Sequence, residues 1–235
     1  MEIPIIDEDS DLIVINKPPG IPVHGGPTVQ GQTVVDFLVQ KFPEIAVVGD
    51  DPARPGLVHR LDKDTSGVMV IARTQEMFEM LKNLFKDRHV QKTYLAICCG
   101  ILKQESGIID LPIGRLVKNP LKRGVEQGKT KIRGAREAVT EYRLLQENEQ
   151  FSLVELHPKT GRMHQIRVHM KAIGNPVACD PIYGGKAVCC PKPAARLLLH
   201  AQSISFVLPG KGNMRFEADP PDDFQQIMRQ FEELA

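Results

Sequence analysis

Short apolar runs bounded by turn residues recur from Leu12 to Leu208, and no regular alternation of strand and helix connects them. This pattern constrains the fold most, because a parallel sheet needs a helix-sized crossover between successive strands. Residues 12–15 read as a strand closed by the turn Lys17-Pro18-Pro19-Gly20, and residues 68–71 read as a second. Thr33 is placed to cap a helix that reaches residue 42 and carries Val34, Phe37, Leu38 and Lys41 at helical spacing. Thr74 caps another with Met77, Leu81, Leu84 and Phe85 on one face. β-Favouring residues recur over 92–99, and 138–145 with 151–156 resembles a hairpin around Glu147-Asn148-Glu149-Gln150. A helix over 163–173 is stopped by Gly174, and 197–208 alternates as a long strand with Leu198, Ile204, Phe206 and Leu208 on one side. A last amphipathic helix holds Phe224, Ile227, Met228 and Phe231. The expected fold class is α+β with a largely antiparallel sheet, in one domain over 1–235.

With 42% hydrophobic and 25% charged residues, the chain can bury a substantial core and is unlike a disordered or fibrous one. The first twenty residues lack a basic leader, and nowhere do eighteen apolar residues run together, so a cytoplasmic protein without membrane contact is expected. Five cysteines, with Cys98-Cys99 and Cys189-Cys190 adjacent, match neither a disulfide framework nor CxxC metal spacing and are expected to be reduced, mostly buried thiols. The net charge of +1 neither demands nor excludes a nucleic-acid partner, so local patches decide. One segment differs from the rest: from Arg115 to Arg136 eight cations face a single acid, Glu126, with glycines interspersed. It reads as a flexible basic loop, either a solvated insertion or an RNA contact through Lys129, Lys131 and Arg133.

The densest polar cluster is His59-Arg60-Leu61-Asp62-Lys63-Asp64-Thr65-Ser66-Gly67, which runs directly into an apolar strand. A carboxylate held between cations and backbone donors keeps its charged form and can act as a nucleophile near neutral pH. The residues alone leave a turn-capping Asp equally open.

HRLDKDTSG followed by a strand resembles the signature of the RluA-type pseudouridine synthases. The likeness continues in DLIVINKPPGIPVH near the start, KTYLA at 92–96, TGRMHQIRVHM at 160–170, GNPVACDPIYG at 174–184 and LLLHA at 197–201, in the family's order. The resemblance implies the family's fold, a large mixed, mainly antiparallel sheet flanked by helices and loops. It implies isomerisation of uridine to pseudouridine in structured RNA, ribosomal or transfer, by a monomer that needs no cofactor and no metal. By similarity Asp62 is the catalytic carboxylate, Arg167 its partner, and Tyr94 stacks on the uracil and takes the C5 proton. Arg60 would fill the gap left by the flipped base, with phosphate binding or a structural ion pair as the alternative. His59, Arg162 and His164 are RNA-facing or structural, and Leu198 or Leu199 either forms part of the uracil wall or, as the default, belongs to a buried core strand. Family members often carry an N-terminal S4-type domain, whereas here the catalytic motif is met at residue 11, so a stand-alone catalytic domain is expected.

Three other chemistries fail on spacing. Gly128-Lys129-Thr130 resembles the end of a phosphate-binding loop, but the glycine required five residues earlier is Arg123. His164 and His169 are not in HExxH spacing for zinc. Apolar surroundings would raise the pKa of Cys98 or Cys99 and argue against a thiol nucleophile.

Overall fold

The computed structural model describes residues 2–26, 29–185 and 189–232. In chain order it contains β1 (Ile5–Glu8), β2 (Leu12–Lys17), α1 (Val34–Lys41), β3 (Ser66–Ala72), α2 (Gln75–Lys86), β4 (Gln91–Cys99), β5 (Ser106–Asp110), β6 (Ile113–Leu116), β7 (Arg123–Val125), β8 (Ile132–Arg136), β9 (Val139–Glu147), β10 (Phe151–Pro158), α3 (Gln165–Ala172), β11 (Leu199–Leu208), β12 (Gly212–Glu217) and α4 (Asp222–Glu232). The chain divides into two compact units, one of residues 1–91 with 201–220 and one of 92–200 with 221–235.

In the first unit the strands run β1-β2-β3-β11, with β12 against β11. β1–β2, β2–β3 and β11–β12 are antiparallel. β3 is buried at all seven positions, as an unbroken apolar run demands of a central strand. Its Gly67 has φ +118°, and a Cβ there would lie 2.2 Å from the Ala201 carbonyl oxygen, so the polar cluster can end against β11 only on glycine. Both helices begin as expected. Thr33 Oγ1 accepts from Asp36 N–H while Asp36 caps Thr33 in return, and Thr74 Oγ1 accepts from Met77 N–H. Met77 and Leu81 of α2 are buried with Val68 and Val70 of β3 and with Ile204, Phe206 and Leu208 of β11.

The second unit has the antiparallel order β4-β10-β9-β5, and the expected hairpin is β9–β10. Alternation along β4 sends Ala96 and Cys98 into one apolar cluster with Leu156, Ile166 and Leu199, and Leu95 and Ile97 into another with Phe224, Ile227 and Phe231 of α4. These elements bear out the α+β reading.

Two expectations need correction. The adjacent cysteines are not all thiols: Cys99 pairs with Cys189 and Cys179 with Cys190 as disulfides, leaving Cys98 as the free, buried thiol. Adjacency in a strand is what separates them, since it points Cys98 and Cys99 to opposite faces and only Cys99 faces the cluster holding Cys179 and Cys189. The basic segment is not a flexible loop but a second antiparallel sheet, β7-β6-β8. Its strands are three to five residues long, and their apolar anchors, Ile113 and Val125, are too few to give a period-two signal.

Candidate active site

In the first unit, Asp62 stands half-buried in the loop between Arg60 and β3. That loop is fixed by Lys17, a side chain with no exposed surface, whose ammonium donates to the carbonyls of Pro18 (2.8 Å), Ile21 (3.0 Å) and Lys63 (2.9 Å). Three donors on three backbone oxygens satisfy a buried ammonium. The Lys63 carbonyl also accepts from Gly20 N–H, and the Asp62 carbonyl from Thr65 N–H. Thus the turn Lys17–Gly20 and the polar cluster are laced together at the residue next to Asp62. In the sequence Lys17 reads only as part of a turn. Its signal is a lysine at the end of an apolar strand followed by two prolines, which supply no N–H to neighbouring carbonyls.

The neighbours of Asp62 divide. His59 is half-buried, its ring stacked on Phe85 at 4.7 Å and its Nε2 accepting from Val70 N–H, so the protein uses it as a brace. Arg60 is exposed and donates to His24 Nε2 at 2.7 Å. Burial first, and then the cations Arg60 and Arg54, hold His24 below its ordinary pKa, which keeps Nε2 an acceptor. Arg60, Leu61, Lys63 and His24 line a cavity of about 300 Å³ beside the loop.

In the second unit, Arg167 of α3 is only 5% exposed. Its Nε and Nη2 donate to the two oxygens of Asp180 at 2.7 and 2.9 Å, a bidentate fork. Asp180 is fully buried and also accepts from the N–H groups of Ile182 and Tyr183. Burial pushes its carboxyl pKa upward, but the Arg167 guanidinium and these two N–H groups outweigh it and hold the group below its ordinary value. The Tyr183 ring lies 5.2 Å from the Arg167 guanidinium carbon, and its hydroxyl shares a hydrogen bond with His164 Nδ1 at 2.8 Å. The acid and the ring come from GNPVACDPIYG, a block to whose individual residues the sequence alone assigns no role.

α3 starts at Gln165, two residues later than expected, because His164 adopts φ 58°. Gln165 ties the turn before it: its Oε1 accepts from Thr160 Oγ1 and Arg162 N–H, and its Nε2 donates to Val139 O and Thr140 Oγ1. Arg162 donates from Nε to Glu137 O. His169 is buried between Thr140 Oγ1 and Leu111 O, and desolvation lowers its pKa. Tyr94, on β4 opposite Leu156, is half-buried against the cluster that contains Leu199, whereas Leu198 belongs to the cluster of α4. The structure therefore brings Arg167 and His164 together around Tyr183, and leaves Lys129 exposed near the Gln127–Thr130 turn while Lys131 pairs with Glu126. Among the described residues no group of three or more His, Cys, Asp or Glu could hold a metal ion, and no helix is long and apolar enough to cross a membrane.

The α+β fold, the braced aspartate loop of the first unit and the buried arginine–aspartate fork of the second do not by themselves name a protein, and comparison gives the family. A model of the RNA pseudouridylate synthase family matches residues 11–172. An uncharacterized RNA pseudouridine synthase of Bacillus subtilis is 38% identical over 97% of this chain and 72% of its own length. The ribosomal large subunit pseudouridine synthase D of Xanthomonas campestris is 39% identical over 95% of this chain and 68% of its own. Among solved structures, human RNA pseudouridylate synthase domain containing 4 superposes with a TM-score of 0.76 at 29% identity, covering 97% of this chain and 93% of that one. The chain belongs to the RNA pseudouridylate synthase family and is, by that membership, an isomerase that acts on RNA.

Proposed function

We propose that this chain isomerises uridines in structured RNA to pseudouridine, with Asp62 as nucleophile and the two units serving as one catalytic domain. Relatives named for the ribosomal large subunit favour ribosomal over transfer RNA as the substrate. The observation that carries the reading is the investment of buried polar groups in holding two side chains: Lys17 fixes the loop of Asp62, and Asp180 fixes Arg167. Buried charges are tolerated only when they are paired, and they rigidify what they pair with.

The reaction breaks N1–C1′, turns the uracil and joins C5 to C1′; C5 gives up a proton and N1 gains one, so the product is an isomer. The target nucleotide must first leave its stack. In this reading Arg60 takes its place, and Tyr94 stacks on the uracil with Leu199 as the apolar wall. Tyr94 also takes the C5 proton. Asp62 serves as the carboxylate nucleophile and is released again when C5 joins C1′, and Arg167, its guanidinium held in one orientation by Asp180, serves as the catalytic cation. His59, Arg162 and His164 support the RNA-facing surface, and Lys129, Lys131 and Arg133 add phosphate contacts.

Single-turnover product analysis tests the chemistry. Wild type should yield isomerised uridine and Asp62→Asn none, with RNA affinity little changed. Turnover by Asp62→Asn near the wild-type rate, or release of free uracil by wild type, would overturn the assignment. We further propose that the enzyme works as a monomer in the cytoplasm. A reducing compartment opens disulfides, so full activity in reductant supports this setting and loss of activity counts against it.

A further inference from the structure

We propose that Arg115, Arg123 and Arg133 form a ledge for consecutive phosphates of one RNA strand, an element that rests on the RNA-isomerase reading above and specifies where its substrate backbone is held. In the small sheet Arg115 stands opposite Arg123 on β7 and opposite Arg133 on β8. Residues directly opposite across antiparallel strands point to the same face, so the three side chains form one row, with neighbours about 5 Å apart at the backbone. The register is tight, since a Cβ on Gly114 would lie 2.7 Å from the Arg133 carbonyl oxygen.

The face that carries the row is set by its neighbours. Ile113 and Val125 lie two residues from Arg115 and Arg123 on the same strands, hence on the same face, and both are buried with Val168 of α3 and with Tyr183. The row therefore continues a packed face. Tyr183 fixes its position further: its hydroxyl accepts from Arg123 N–H at 3.1 Å and pairs with His164 at the start of α3. Arg123, at one end of the row, is thus tied through Tyr183 to His164 at the start of α3.

Like charges opposite one another destabilise a sheet, and among the described residues no carboxylate pairs with any of the three. Arg123 donates instead to the carbonyls of Pro120 and Lys122, and Glu126, the acid of this segment, is engaged by Lys131. Three cations in a row with no counterion among the described residues suit an anion. The row spans about 10 Å, enough for two to three phosphates along one strand. Guanidinium suits it better than ammonium because its planar fork matches phosphate oxygens bidentately.

The test compares three double variants that alter two positions each: Arg115→Gln with Arg133→Gln, Arg115→Lys with Arg133→Lys, and, as a control at the exposed ends of α1 and α2, Lys41→Gln with Lys86→Gln. Affinity for a short single-stranded oligouridylate is measured across salt concentrations, with thermal melting of each variant. The Gln pair in the sheet should lose on the order of tenfold in affinity or more. Its log–log salt slope should flatten by about 0.7 for each phosphate that is no longer neutralised. The Lys pair should keep most of the slope and lose several-fold in affinity, the control pair should bind as wild type does, and no melting temperature should fall. Equal losses for the sheet and control Gln pairs would reduce the row to part of a diffuse field and overturn the ledge, as would a Lys pair that binds like wild type. A wild type that isomerises uridine while the sheet Gln pair binds normally overturns the ledge alone; a wild type without isomerase activity overturns the reading beneath it.

Discussion

Arg167 and the row Arg115–Arg123–Arg133 lie in the same unit and are the same residue type, yet their surroundings are opposite. Arg167 is buried and forked onto a fully buried carboxylate that has two further backbone donors. The row has no carboxylate among the described residues and sits side by side at the edge of the packed face. The difference teaches what each charge is for. A guanidinium neutralised inside the protein is held in one orientation, while guanidiniums left without a counterion keep their attraction for a partner.

The most damaging way to break the comparison is Asp180→Ala, which leaves the Arg167 guanidinium buried without its fork. Removing one member of a buried pair costs about 3–5 kcal/mol, so the urea midpoint should fall accordingly. A change below about 1 kcal/mol would mean that another anion replaces Asp180. Arg167→Lys keeps the charge and loses the planar fork; turnover should fall roughly a hundredfold with RNA affinity little changed, since misplacement of about 1 Å can cost that much.

Tyr183→Phe joins the two arginine sites, because one hydroxyl serves both His164 and Arg123 N–H. It should cost about 1–2 kcal/mol of stability and weaken RNA binding mildly, whereas a loss of turnover as large as that of Arg167→Lys would move the hydroxyl into the chemistry. Lys129→Ala with Lys131→Ala should weaken RNA binding only a few-fold, less than the arginine pair, because one of these exposed lysines is already matched by Glu126. A loss equal to that of the arginines would erase the distinction between ledge and surrounding field.

The smallest effect is a pH dependence. His169 has its pKa lowered by burial from an ordinary 6.5, so the unfolded chain binds its proton more readily than the folded one. Its contribution is complete above about pH 6.5 and is lost as pH falls toward the folded value. His169→Gln should flatten the fall in urea midpoint between about pH 7 and 5. Asp180, also depressed, contributes above its ordinary 3.8 and is lost only in stronger acid.

Most elements are legible in the sequence because their signals are local. Thr33 and Thr74 cap the helices they are expected to cap, α4 buries Phe224, Ile227 and Phe231, and β9–β10 is the expected hairpin. Legibility ends where three-residue strands with glycines carry almost no apolar period, as in β7, and where partners are remote in sequence, as for Cys99 and Cys189, separated by 90 residues. Asp62, Tyr94 and Arg167 are readable only through ordered motifs; composition and periodicity do not mark them.

The sequence by itself determined the helices and most of the longer strands, the α+β class and the family, because hydrophobic period, caps and ordered motifs are properties of neighbouring residues. Tertiary structure decided what the charges do. Whether Lys17 is a surface lysine or a buried pin, whether Arg167 is held by Asp180, and whether three arginines scattered between 115 and 133 stand in one row all depend on groups brought together from distant segments. An electrostatic interaction depends on distance and burial, and neither is written along the chain.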